Sequence, residues 1–243
     1  MNHPTKLALG VALSLTLVLT GTGAAGGGVS AAPDKSQASE IKKVDDAVRV
    51  LEEMMKESDK GIPQELFEKC AGIAILPNVI KAAYILGARH GNGVVVVRGK
   101  DGRWTNPSFI GITGGSLGWQ IGVESADVIL VFRTSTSIEN ITRGKFTLGA
   151  DAGVAAGPLG RSAEASTDSQ LKAEIYSYSR SRGLYAGLSV QGASLYVDGD
   201  ANQQFYGIKG IGAQAIFEGK VGKVPEAAGK LRNALGKYTG AAK

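Results

Sequence analysis

The feature that most constrains this chain is the regular spacing of its glycines inside strand-like segments. The spaced groups are Gly149/Gly153/Gly157, Gly111/Gly115, Gly118/Gly122 and Gly183/Gly187. Residues i, i+2 and i+4 of a strand share one face, so residues 145–157 would present a nearly bare face opposite an apolar one. Glycine weakens a strand and marks tight bending or the close approach of another backbone. We therefore predict a strongly coiled sheet with a second element packed on Gly153.

The segments around these glycines predict several short strands. The apolar run AGIAIL predicts a strand that stops at Pro77, and from about residue 79 strand-like runs such as VVVVR and DVILVFRT are separated by Gly, Asp and Asn. The polar stretch TSTSIENITRGK, residues 134–145, interrupts them. Short strands with such turn residues are typical of antiparallel sheets, either open or closed into a barrel.

Helical periodicity marks both ends of the strand-rich region. From residue 36 to 60, apolar residues recur at spacings of three and four, which indicates an amphipathic helix ended by Gly61 and Pro63. A short helix, PQELFEKC, follows, and VPEAAGKLRNALGKY predicts a last helix near the C-terminus. The sequence thus predicts an α+β fold: a mainly antiparallel, Gly-rich sheet with N-terminal and C-terminal helices packed on it.

Residues 1–32 have the layout of a secretory signal peptide. Lys6 precedes the apolar run of residues 7–20, and small residues follow it. The run is shorter than the about 20 residues that a membrane-spanning helix needs, so cleavage is favoured over a retained anchor. We predict that the protein is exported and that it is periplasmic or extracellular, free or peripheral to a membrane.

The remaining chain is poor in catalytic side chains. It has one histidine, His90, which we interpret as a turn or surface residue, and one cysteine, Cys70, which we interpret as a core residue. One of each cannot form an ordinary zinc site, and the paired carboxylates of the first helix fit its solvated face. We predict no catalytic site, no metal and no cofactor. A net charge of +5 is too small to argue for nucleic acid as a partner.

The residues resemble a known family. The run AGIAILPNVIKAAYILGARHGNGVVVVR, followed by DGRW, NPSFIGI, VAAGPLGR and YSYSRSRGLYAGLSVQG, is similar to the SYLF domain from about residue 39 to 206. The resemblance implies a lipid-binding module without catalysis. Eukaryotic members bind phosphoinositides, and some associate with actin, but we do not expect those ligands for an exported bacterial protein. We divide the chain into a signal peptide (1–32), a SYLF-like domain (33–217) and a basic helical tail (218–243).

Two groups of cations are candidates for contact with anionic phospholipid or a membrane surface. The resemblance points to the first helix, with Lys42, Lys43 and Arg49. Residues 34–60, however, hold six basic and eight acidic residues, whereas residues 209–243 hold seven basic and two acidic ones. The charge balance therefore favours the last helix, with Lys223, Lys230, Arg232 and Lys237. Either helix has a purely structural alternative, the first packed on the sheet and the last covering a sheet edge.

The leading functional prediction is a non-enzymatic module that binds lipid or a membrane surface. The competing prediction is a structural or protein-interaction module of the envelope, with an unknown protein partner.

Overall fold

The computed structural model describes residues 34–56, 62–83, 86–117, 122–157, 173–181, 184–186 and 190–239. The predicted signal peptide and the glycine pairs 118/122 and 183/187 therefore lie wholly or partly outside the described residues. The described helices are α1 (Lys35–Lys56), α2 (Gln64–Lys69), α3 (Ser135–Arg143), α4 (Gly199–Tyr206), α5 (Ala213–Phe217) and α6 (Glu226–Tyr238). The described strands are β1 (Gly72–Ala83), β2 (Leu86–Val97), β3 (Ser108–Leu117), β4 (Gly122–Phe132), β5 (Phe146–Thr147), β6 (Val154–Ala156), β7 (Ile175–Ser181), β8 (Leu184–Ala186) and β9 (Ser194–Val197).

These strands form one sheet in the order β5-β9-β3-β2-β1-β4-β7-β6, with β8 paired to β7. The pairings are antiparallel, apart from the parallel pair β6–β7. The longest strands, β1 to β4, occupy the centre of the sheet. Strand β2 pairs with β1 and β3, and β4 pairs with the other edge of β1. The predicted α+β class with a mainly antiparallel sheet is confirmed, as are the first helix, the short second helix and the last helix.

Both faces of the central sheet are buried around residues 72–76 of β1. On one face, Ile73 and Ile75 pack with α1, α4 and α6. On the other, Ala74 and Leu76 pack with α3 and with residues of the segments 146–152 and 190–195. A strand buried on both sides needs apolar residues at successive positions rather than at alternate ones. This requirement explains why AGIAIL carries no polar alternation.

Helix α3 corrects the prediction of a polar break at residues 134–145. The segment forms a helix from Ser135 to Arg143, and Ile138 and Ile141 are buried against the sheet. Two apolar residues three positions apart give a helix one narrow contact stripe, and the buried Ser137 lies beside it. Helices α4 and α5 likewise lie in a region that the sequence reading left without helices.

The first and last helices belong to the same core. Their fully buried side chains include Leu51 and Met54 of α1 and Leu231 and Leu235 of α6. The Trp104 indole N–H donates to Thr239 Oγ1 at 3.2 Å, which fixes the end of α6 to the loop before β3. The apolar faces that made both helices look amphipathic are therefore occupied by protein.

Strand β1 does not end at Pro77, contrary to prediction. It continues to Ala83 through a bulge, because the register shifts by one residue between Leu76 and Val79 against β4 and over the same stretch against β2. Asn78 has a φ of 52°, a left-handed conformation that asparagine tolerates better than most residues. Its N–H donates to Asp127 Oδ1 at 3.0 Å. Proline is compatible with a strand at such a bulge because no ladder hydrogen bond is needed there.

The glycine pattern of residues 145–157 also has a different cause from the one predicted. The stretch is not one strand: it leaves β5, turns at Gly149 with a φ of 87°, and re-enters the sheet as β6. A Cβ atom at Gly153 would meet nothing within 4 Å, so the prediction of an element packed on Gly153 is wrong. A Cβ at Gly157 would overlap the ring of Tyr178, and one at Gly149 would stand 2.6 Å from Cγ of Gln191. Close neighbours therefore restrict two of the three glycines, and Gly149 is restricted by its backbone conformation as well.

Candidate functional site

A cleft of about 250 Å³ opens between α1 and the bulge of β1. It is lined by Lys43 and Asp46 of α1, Pro77, Asn78 and Ile80 of β1, and His90, Gly91 and Asn92 of β2. The bulge lies at this opening, since Pro77 and Asn78, between Leu76 and Val79 where the register shifts, both line it. The cleft thus gathers one ammonium group, one carboxylate, one imidazole and two carboxamides with an exposed apolar rim at Ile80.

Glycines opposite the bulge allow β2 to approach it. A Cβ atom at Gly91 would stand 2.9 Å from Cγ2 of Val79, and one at Gly93 would collide with the Ile75 carbonyl oxygen. Both contacts lie below the separations that real side chains adopt, and the second is with backbone that cannot rotate away. The glycines of GNG, residues 91–93, are therefore part of the structure that forms the cleft.

Lys43 is the predicted site residue that lies in the cleft. Its side chain is 33% exposed, and its ammonium donates to Glu40 Oε1 at 2.8 Å. Glu40 itself is 4% exposed, and its Oε2 has no hydrogen-bond partner among the described residues. Because an ammonium carries three N–H donors, Lys43 keeps donor capacity beyond the Glu40 bond.

The other two candidate cations of α1 lie outside the cleft and pair along the helix. Lys42 donates to Asp46 Oδ2 at 2.7 Å, and Arg49 stands 3.4 Å from Glu53 Oε1 and 3.7 Å from Asp46 Oδ1. Glu53 also accepts from Arg180 of β7 at 2.8 Å. The three candidate cations of the first helix are thus matched by carboxylates one turn away on the same helix, and Glu53 is shared with a cation of the sheet.

The C-terminal candidates are distributed around α6 and not gathered in the cleft. Lys230 and Lys237 are exposed and lie seven residues apart, on one stripe of the helix, and Lys230 pairs with Glu226 at 3.3 Å. The Lys237 ammonium lies 5.5 Å from the ring centroid of Tyr238. Arg232 is half-buried, and Lys223 is exposed ahead of the helix. Only the solvent-facing side of α6 is therefore available to a surface, since its apolar side is in the core.

The described residues offer no obvious reaction chemistry around the cleft. No group of three or more His, Cys, Asp or Glu side chains in the described part of the chain is placed to hold a metal ion. Cys70 is a core residue as predicted: it is 3% exposed, and its thiol donates to the Phe67 carbonyl oxygen at 3.1 Å. Burial raises the pKa of this thiol to about 12, which keeps it in the non-nucleophilic form at neutral pH. No described helix combines the length and apolarity needed to cross a bilayer.

Sequence reasoning did not identify the cleft. His90, interpreted from the sequence as a turn or surface residue, lies in β2 and is exposed. The fold brings it into the same cleft as Lys43, which is 47 positions earlier in the sequence. The available signal was the pair Pro77-Asn78 inside an apolar run together with GNG in the facing strand, since proline and glycine within strands mark bulges and close backbone approach.

Comparison with known proteins identifies a family model and several relatives that this chain matches. A family model described as "Ysc84: Las17-binding protein actin regulator" matches residues 113–238. Protein YSC84 of Saccharomyces cerevisiae is 37% identical over 209 residues, which is 83% of this chain and 43% of the yeast protein. SH3 domain-containing YSC84-like protein 1 of Homo sapiens is 39% identical over 171 residues, 69% of this chain and 50% of the human protein.

LAS seventeen-binding protein 3 of Saccharomyces cerevisiae is 35% identical over 199 residues, 79% of this chain and 42% of that protein. The chain therefore spans about half the length of the curated relatives it matches. LAS seventeen-binding protein 3 and the family model are named for proteins that bind a partner or regulate actin. The chain belongs to the Ysc84 family, and its resemblance to the SYLF domain is confirmed.

Proposed function

We propose that this chain is a non-enzymatic module that binds anionic phospholipid at a membrane surface. The observation that carries the proposal is the cleft, which sets the Lys43 ammonium and the side chains of Asn78 and Asn92 beside the exposed Ile80. An ammonium and amide N–H groups are donors for a phosphate oxygen. The exposed apolar rim suits the acyl boundary that lies just below a headgroup.

Co-sedimentation with lipid vesicles tests this function. Vesicles of phosphatidylcholine alone and vesicles with added phosphatidylglycerol are compared at low and high salt, and we expect binding to the anionic vesicles that weakens as salt rises. Lys43→Ala should weaken that binding about fivefold, because a cation near an anionic surface contributes about 1 kcal/mol. Lys42→Ala is the matched control, since Lys42 is on the same helix and is also paired with a carboxylate but does not line the cleft.

The contributions of α1 and α6 to vesicle binding are distinguished by charge substitutions and not by truncation. Deleting residues 222–243 would remove Leu231 and Leu235 from the core, so the loss of binding would be mixed with the loss of fold. Replacing Lys230 and Lys237 with Gln keeps the core intact and neutralises the exposed stripe of α6. The charge count of the sequence favours a larger loss of binding from this double substitution, whereas the cleft favours a larger loss from Lys42→Ala with Lys43→Ala. The order that is measured decides between α6 and the α1 side.

We place the protein in the bacterial envelope after export. The support is the signal-peptide layout of residues 1–32, with Lys6, the apolar run and small residues before the domain. Mass spectrometry of the exported protein should show a chain that starts near Ala32 or Pro33. A mature pool that starts at Met1 would contradict the export proposal without affecting lipid binding.

A second candidate function is protein binding. The name of one relative, LAS seventeen-binding protein 3, and the description of the family model, Las17-binding protein actin regulator, each state a protein partner. If the wild-type chain binds neither type of vesicle, the protein-interaction module becomes the leading hypothesis.

A further inference from the structure

The far ends of three central strands, β1, β2 and β4, carry an exposed surface beyond α1. On the side of the sheet that faces α1, this surface, which we call the distal face, is made of Ile80 and Ala82 of β1, Ala88 and His90 of β2, and Val123 and Ser125 of β4. All six residues are exposed. We propose that the distal face is the part of the domain that enters the bilayer, an inference that rests on the proposed lipid-binding function.

Two large apolar side chains stand out on this face. Ile80 is 48% exposed and Val123 is 72% exposed, and they are the large hydrophobic residues that the described part of the chain leaves exposed. Ala82 is the direct cross-strand partner of Val123, and Ser125 is that of Ile80. Directly opposed residues share a face, so Ile80 and Val123 are diagonal neighbours on one surface and do not stand apart on the molecule.

The bulge is what places Ile80 there. Before the bulge, the odd-numbered residues Ile73 and Ile75 of β1 face α1; after it, Ile80 faces α1 and Val79 is buried on the opposite side. A one-residue slip exchanges the two faces of a strand, so without the bulge Ile80 would turn toward the opposite side of the sheet. A bulge re-aims side chains in this way near functional sites.

The distal face carries no Asp, Glu, Lys or Arg side chain, and its most polar group is the imidazole of His90. The charged residues of the same strand segments are Lys81, Arg89 and Glu124, which are cross-strand neighbours on the other side of the sheet. A surface without fixed charges loses water at little cost, whereas burial of an unpaired charge is strongly unfavourable. The face is therefore suited to the headgroup and acyl boundary of a membrane.

The distal face also adjoins the cleft, because Ile80 and His90 belong to both and pair across β1 and β2. Polar donors around Lys43 thus stand beside exposed aliphatic groups, in the order in which a phospholipid presents its phosphate and its chains. A protein interface of this kind would be expected to contain aromatic or arginine anchors. Neither type is present on the six residues of the distal face, so we assign the bilayer as the occupant.

Substitution of the apolar pair tests the assignment. Ile80→Ser with Val123→Ser should weaken binding to vesicles of equal parts phosphatidylglycerol and phosphatidylethanolamine on the order of tenfold or more, from the apolar area lost. The control is Lys81→Gln with Glu124→Gln, which alters the same strands on the other side and keeps the net charge. Both pairs should leave the melting temperature nearly unchanged, because the substituted side chains are exposed or at the strand margin. Unchanged binding by the serine pair would overturn the inference while the proposed function stands.

A polarity-sensitive dye then maps the contact directly. Because Cys70 is buried, the thiol introduced by Val123→Cys can be labelled selectively, and the same is true for Lys42→Cys on α1 and Lys237→Cys on α6. We expect vesicles to shift the emission of the dye at position 123 and to leave the other two positions unaffected. A shift only at position 42 or 237 would overturn the distal face as the contact. Absence of any vesicle binding by the unlabelled wild type would overturn the lipid-binding function and this inference with it.

Discussion

The two halves of the central sheet differ in what covers them. In the proximal half, residues 72–76 of β1 and their partners have helices on one face and α3 with the 146–152 segment on the other, and Ile73 and Ile75 are fully buried. In the distal half, the same strands continue past the bulge, but Ile80 is 48% exposed on the side that faces α1. One continuous ladder thus contains a half that the domain's own helices cover and a half with one exposed face. Under the proposal above, stability depends on the proximal half and membrane binding on the distal half.

The largest effect should come from isoleucine truncation in the proximal half. Ile75→Ala removes a fully buried side chain and should lower the free energy of unfolding by about 2–5 kcal/mol. Ile80→Ala, five residues along the same strand, should change it by about 0.5 kcal/mol or less, as is usual for surface substitutions. Urea denaturation followed by circular dichroism measures both. Similar losses for the two variants would contradict the division of the sheet into two halves.

The next largest loss of stability is expected at Gly93, which lies against the boundary between the two halves of the sheet. Gly93→Ala would drive a methyl group into the Ile75 carbonyl oxygen and should destabilise the domain by about 1–3 kcal/mol. The matched control is Gly153→Ala, whose Cβ meets nothing within 4 Å. Thermal melting of both variants checks the difference. If Gly93→Ala melts with the wild type, the close approach of β2 to the bulge is not a constraint.

A smaller effect is expected from the ion pair that ties α1 to β7. Arg180 Nη1 and Glu53 Oε2 are 2.8 Å apart, with side chains 23% and 32% exposed. Partial exposure limits such a pair, so Arg180→Met should cost about 1 kcal/mol. A double-mutant cycle with Glu53→Gln isolates the coupling between the two side chains. A coupling energy of zero would mean that α1 is held over the sheet by its apolar contacts alone.

The smallest effect is expected at Lys42. Its ammonium pairs with Asp46 at 2.7 Å, but the lysine side chain is 75% exposed, and pairs of this i,i+4 type contribute about 0.3–0.5 kcal/mol. Lys42→Ala should therefore leave the midpoint of urea denaturation almost unchanged. A loss of stability comparable to that of Ile75→Ala would show that Lys42 stabilises the domain more than its exposure indicates.

The sequence predicted the fold class because its strongest signals are local. Val44, Leu51 and the apolar residues around them recur at helical spacing, and they line the buried face of α1 in the structure. The apolar run of β1 likewise forms a buried strand. Prediction was wrong where a local signal had two structural causes. Pro77 was interpreted as the end of a strand although it lies at a bulge, and the glycine at 149 is a turn residue although it was interpreted as part of a strand face.

The candidate site could be predicted only in part. Lys43 was identified through the family resemblance, but its carboxylate partner Glu40 and the surrounding cleft depend on how α1 crosses β1 and β2. The charge count that favoured α6 is a property of the sequence alone and does not show which cations share a surface. Positions such as His90 and Asn78 come together only through the strand pairing and the bulge, and neither leaves a periodic pattern along the chain.

The contact between α1 and α6 has a consequence for how the protein is made. The first helix of the domain shares its core with the last one. Nearly the whole domain must therefore be synthesised before Leu51 and Met54 can make all of their native contacts. Contacts between residues this distant in sequence are slow to form, since a long loop must close first. Until then the nascent polypeptide exposes the apolar stripe of α1. We expect this stripe to remain accessible to chaperones or to an export channel until synthesis of the domain is nearly complete.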